Sequence, residues 1–123
     1  MNTLPVGIQL YTLRDMLEET PSQFPTVMRR MRDYGYDGVE LAGTYGLAPE
    51  FIRDTLDEIG LAPVCAHVPL DQMIENPLQT AKEYAAIGCR FIAAPYLPEQ
   101  FRHFTPGYQT VLAELTRVGR VMQ

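Results

Sequence analysis

Three polar side chains stand inside short apolar runs, each near the run's C-terminal end: Gln9 in GIQLY, Glu40 in GVELA and His67 in PVCAHVPL. An imidazole can relay a proton near neutral pH, a carboxylate can take or return one, and an amide can hold a ligand oxygen by hydrogen bonding. Each also has a structural reading. His67 could be a hydrogen-bonded core histidine, and Glu40 a buried carboxylate paired with a base elsewhere, since burial without a partner is costly.

What must position these groups is visible in the spacing of the apolar residues and glycines. One pattern occurs four times: an apolar strand, a polar or Pro-containing loop, then a stretch with helical periodicity. The first unit pairs a strand over Val6–Tyr11 with a helix over Pro21–Tyr34, whose Phe24, Val27, Met28, Met31 and Tyr34 share one face before Gly35 ends it. The second begins with Gly38–Ala42, crosses a loop holding Gly43 and Gly46, and continues in a helix opened by Pro49. Phe51, Ile52, Leu56 and Ile59 form its buried stripe and Gly60 its left-handed cap.

The third unit contains the His67 strand and a helix with Asn76 as N-cap and Pro77 as first residue. Leu78, Ala81, Tyr84 and Ala85 face inward and Gly88 closes it. The fourth runs through Phe91–Tyr96 to a helix carrying Tyr108, Val111, Leu112, Leu115, Val118 and Met122 at helical spacing.

Strands alternating with helices at this period call for an α/β fold with a parallel sheet and right-handed crossovers. A doubly wound sheet and a TIM barrel both meet that description. QLYTLRD after the first strand is neither a dinucleotide-binding nor a phosphate-loop sequence, which counts against the first. Polar residues at the C-terminal ends of successive strands count for the second, because barrels carry their chemistry there. With side chains alternating along a strand, Gln9, Glu40 and His67 oppose aliphatic neighbours and point together into the barrel.

Composition bounds the function. The net charge of -5 and the lack of a basic run argue against nucleic-acid binding. MNTLPVGIQLYTLRD has no basic stretch followed by an apolar one, and no segment is apolar enough to span a membrane. Cys65 and Cys89 lie in or beside apolar strand-like runs and read as buried, reduced thiols, so a cytoplasmic location is expected. His103, in FRHFTPG, reads as an exposed loop histidine, and Glu18, Glu19, Asp57 and Glu58 as a solvated surface.

Four motifs in order, GIQLYTLRD at 7–15, GYDGVELAGTYGL at 35–47, AHVPLDQM at 66–73 and GCRFIAAPYLP at 88–98, resemble the first half of the sugar phosphate isomerase/epimerase family, with its xylose-isomerase-like TIM barrel. The resemblance implies that residues 1–123 form a single partial domain with about four of eight strand–helix units, the N-terminal half of a longer barrel. It implies proton transfer on a sugar or polyol through an enediolate, assisted by a divalent metal (Mn, Mg, Zn or Co) at the mouth. The family's metal ligands lie mainly on later strands, so this chain alone is expected neither to bind the metal nor to catalyse.

The resemblance further implies substrate binding by His67, Glu40, Gln9, Tyr11 and Tyr96, with Tyr45 a further candidate for an aromatic wall. No catalytic residue is assigned. The alternative reading is a non-enzymatic α/β binding module whose copies associate as a homo-oligomer to cover their strand edges.

Overall fold

The computed structural model describes residues 4–123; the first three residues of the expected 1–123 domain lie outside the described residues. Four strands form one parallel sheet in the order β1 (Gly7–Gln9), β2 (Gly38–Ala42), β3 (Ala62–His67) and β4 (Ile92–Ala93). The order follows the sequence without reversal. A doubly wound sheet reverses direction at a switch point, whereas a barrel adds each strand beside the last, so this order is that of a barrel wall.

Six α-helices accompany the strands among the described residues: α1 (Arg14–Glu19), α2 (Phe24–Asp33), α3 (Pro49–Ile59), α4 (Leu70–Glu75), α5 (Pro77–Ile87) and α6 (Tyr108–Val121). The core lies between the helices and one sheet face. Val39 and Leu41 of β2, Ala66 of β3 and the following Val68 are buried against Phe24, Val27 and Met28 of α2, Ile52 and Leu56 of α3, and Tyr84 and Ile87 of α5. Their opposite partners along the strands, Gln9, Glu40 and His67, are left on the other face, as strand alternation requires. That inner face also exposes Val64, at 50%. No helix is long and apolar enough to cross a membrane among the described residues.

Several elements differ from the sequence reading. The first strand stops at Gln9 because Leu10–Leu13 turns into a 3-10 helix, which the Gln9 side chain caps by accepting from the Tyr11 N–H. The fourth strand spans only Ile92–Ala93, where Pro95 removes a donor that a longer ladder would use. The short helices α1 and α4 lie where the sequence reading has loops. Tyr34 is 74% exposed, not inward, because α2 ends at Asp33 and the chain turns at Gly35; Tyr36 packs against the core instead.

Phe51 is likewise exposed, leaving Ile52 and Leu56 to carry the α3 contact. On α5 the buried residues are Thr80, Tyr84 and Ile87, while Leu78 and Ala85 face water. Residues 80, 84 and 87 are also spaced at helical intervals, and the alanines give little contrast to choose between the two faces. Asn76 precedes α5 without a capping side-chain hydrogen bond. Gly60 and Gly88 do close α3 and α5 in the left-handed conformation, with φ of 79° and 102°.

Burial makes this fold sensitive to alkali. The Tyr84 and Tyr45 hydroxyls are pushed up to about 12 and the Cys89 thiol to about 11, chiefly by burial. The folded state therefore holds these protons after the unfolded chain has lost them. Their contribution is complete below the ordinary thiol value of 9.0 and is lost as pH rises through the folded values. Urea unfolding between about pH 8 and pH 11 is expected to show a falling stability, with a slope below about 1.4 kcal/mol per pH unit for each group. Tyr84→Phe should flatten part of that fall; a flat wild-type profile would contradict the burial of these groups.

Candidate functional site

The side chains at the strand ends meet. Gln9 Oε1 accepts the Tyr11 N–H at 2.9 Å, which turns the amide nitrogen toward His67, where Nε2 lies 3.0 Å from Nδ1. Since the amide nitrogen can only donate, His67 Nδ1 accepts. In the neutral ring the proton then sits on Nε2, which faces Glu40 Oε2 at 3.4 Å. An amide, an imidazole and a carboxylate from three adjacent strands are thus joined in one line.

The registers explain the alignment. Gln9 pairs with Glu40 across β1 and β2, and Glu40 pairs with Cys65 across β2 and β3, one row below His67. The β2–β3 ladder shifts between Val39 and Glu40, an irregularity that places Glu40 opposite Cys65 instead of Val64. Pro63 accounts for it, because a proline in a central strand cannot donate to the ladder and is accommodated at a bulge. His67 and Glu40 side chains are 25% and 30% exposed, so each is the other's partner and both remain open to solvent.

Above them lies a cavity of about 540 Å³ lined by Gln9, Tyr11, His67 and Tyr96 together with Ala42, Gly43, Pro69 and Pro95. Four of the five expected residues therefore border one space. Glu40 does not line it; it sits deeper and borders a second cavity of about 480 Å³ with Gln9, Val64 and Cys65. Tyr11 and Tyr96 are exposed at the rim. The Arg14 guanidinium lies 4.3 Å from the Tyr11 ring centre, and Arg102 donates to the Tyr96 hydroxyl at 3.0 Å.

Tyr45 is placed elsewhere. It adopts a left-handed backbone (φ 54°) in the loop after β2 and packs toward Phe24, with ring centres 6.5 Å apart, so it belongs to the helix layer and not to a wall of the mouth. His103 is exposed, against Phe104 and Tyr108.

Cys65 joins the site although the sequence reading assigns it only to the core. Both cysteines are free and half-buried, not fully buried. The Cys65 thiol is raised by burial and by its hydrogen bond and proximity to Glu40. Pro63, two residues upstream, is the sequence signal that marks the bulge beneath it.

Among the described residues no group of three His, Cys, Asp or Glu side chains is placed to hold a metal ion. Glu40 and His67 are suitable donors, yet they do not make a ligand set by themselves, and a divalent ion would need further oxygen or nitrogen donors from elsewhere.

No protein-family model and no curated protein matches the chain. Solved structures similar in fold include two that are each described as a sugar phosphate isomerase/epimerase from Parabacteroides distasonis. One has a TM-score of 0.80 at 19% identity over 98% of this chain. The other has a TM-score of 0.74 at 18% identity over 99% of it. The chain spans 50% and 48% of those two chains. The architecture is therefore α/β, four consecutive strand–helix units of a TIM barrel, laid out as in the corresponding half of these isomerase/epimerase structures.

Proposed function

We propose that this chain forms the substrate-holding half of the mouth of a sugar or polyol isomerase/epimerase. The observation that carries the reading is the Gln9–His67–Glu40 line at the C-terminal ends of three neighbouring barrel strands, bordering a cavity rimmed by two tyrosines. A contact of 3.4 Å is long for a charge-assisted hydrogen bond, so the Nε2–H can serve a substrate hydroxyl or carbonyl oxygen in the cavity. Gln9 fixes the ring's tautomer from one side, and Glu40 faces its Nε2–H from the other. Tyr11 and Tyr96 offer ring faces to the C–H surface of a sugar and hydroxyls to its oxygens.

In the proposed reaction, proton transfer between adjacent carbons passes through an enediolate. A divalent cation, if bound, would stabilise the developing oxyanion. The described residues do not complete its coordination, and turnover is assigned to the closed barrel. We place the reaction in the cytoplasm, a reading supported by the two free thiols. Purified chain 1–123 is expected to show no isomerisation of sugar phosphates with added Mn²⁺ or Mg²⁺, followed by NMR of the sugar carbons. Turnover under those conditions would contradict the division of the site.

A second reading is favoured by the exposed Val64 and Phe91 and by the free edges of β1 and β4 among the described residues. In it, copies of the chain cover one another as a binding module. Light scattering after size exclusion separates the two: a discrete dimer supports association, and a monomer or ill-defined aggregate argues against it.

A further inference from the structure

Beyond the mouth, across a ridge made by Pro69, Pro95 and Tyr96, runs a second groove of about 590 Å³ between α4 and the loop after β4. The same three residues line the mouth cavity, so the two spaces adjoin and a ligand that reaches over the ridge touches both. The groove's floor is apolar, formed by Leu70, Ile74 and Phe101. Its charged lining is acidic only, Asp71 and Glu75, and no Lys or Arg lines it among the described residues.

We infer that this groove is a subsite for an uncharged apolar substituent carried by the sugar or polyol that the mouth binds; the inference rests on reading the mouth as a sugar site. The walls are set in advance. Two of the shared residues are prolines with fixed φ, and Tyr96 is held through its hydroxyl by Arg102, which also donates to the Leu97 carbonyl at 3.2 Å. Arg117 of α6 donates to the Ile74 carbonyl at 2.7 Å, fixing α4 against the helix layer. A preformed apolar wall binds without the cost of ordering loops.

The charge pattern selects the ligand class. A phosphate would meet two carboxylates in the lining, and like charges repel, while Arg102 and Arg117 are engaged by the Tyr96 hydroxyl and the Ile74 carbonyl. A ring or alkyl group displaces water from Leu70, Ile74 and Phe101 and leaves the carboxylates solvated at the edge.

The test compares methyl and phenyl β-D-glucopyranoside by calorimetry on chain 1–123, with methyl-group NMR of Leu70 and Ile74 and with phenol as a sugar-free probe. The phenyl glycoside is expected to bind about tenfold more tightly, from partial burial of one ring. It should shift the Leu70 and Ile74 methyl signals, as phenol alone should. Ile74→Asp and Phe101→Ala should each remove the advantage while leaving the methyl glycoside's affinity unchanged. The wild-type methyl shifts stand as a readout independent of either variant's folding. Equal affinities with no methyl shifts would overturn the groove and leave the mouth reading intact. Phenol binding in the groove with neither glycoside bound would overturn the mouth reading, and the joined substrate with it.

Discussion

Placing a single methyl group on Gly38 is expected to disrupt the sheet at its centre. A Cβ there would lie 2.7 Å from Val64 Cγ2 and 2.8 Å from the Ala62 carbonyl oxygen. The valine could rotate, but the carbonyl is backbone in the paired strand and cannot withdraw without opening the β2–β3 ladder, where Gly38 pairs with Ala62. Overpacking of this kind costs about 1–3 kcal/mol, and backbone displacement in a central strand puts Gly38→Ala at the upper end of that range. Gly7→Ala is the matched control, because its nearest neighbour, the Gly38 carbonyl oxygen, is an ordinary 3.5 Å away. Urea denaturation of both variants should show a large loss for position 38 and a small one for position 7; equal losses would contradict the strand spacing at β2.

The second large effect falls on ligand binding. His67→Ala removes the ring that links Gln9 to Glu40, and is expected to weaken sugar binding by at least about tenfold, the scale of one hydrogen bond to a polar ligand. Glu40→Gln should cost less, since the amide oxygen keeps an acceptor facing Nε2 and only the charge is lost. Gln9→Leu should act through the ring: it frees Nδ1, so both tautomers become available and the orientation of Nε2–H is no longer imposed.

Double-mutant cycles with His67→Ala separate positioning from contact. If Gln9 and Glu40 act through the ring, each single effect should vanish in the His67→Ala background. Additive losses would mean that each residue binds ligand on its own.

Where the sequence is legible, it is through strong local chemistry. Glycines at 60 and 88 and prolines at 49 and 77 bracket helices found where they are expected, because each residue type suits one backbone conformation. The facing of Gln9, Glu40 and His67 follows from strand alternation. Less legible are features decided by competition between neighbours. Gln9 ends its own strand by capping the following turn, a side-chain choice that an apolar run conceals.

The bulge below Cys65 adds one residue to β3 between Ala62 and His67 relative to Gly38–Ala42 on β2, and only Pro63 signals it. Tyr45 and Tyr96 look equivalent as loop aromatics, but the left-handed backbone at Tyr45 sends its ring into the helix layer while Tyr96 stays at the rim. The buried face of α5 is hard to read because alanines at 81 and 85 carry too little apolar area to outweigh Ile87.

The central claim, that the Gln9–His67–Glu40 line forms a ligand site, is tested most directly by ¹⁵N NMR of the imidazole rings during titration with a sugar or polyol. The chain has two histidines, His67 in the line and His103 exposed outside the mouth, so the second is an internal control. The expected result is a saturable shift of the His67 Nε2 signal, with Nδ1 keeping the signature of an acceptor and His103 unmoved. A titration that leaves His67 unchanged, or moves both rings alike, would contradict the claim.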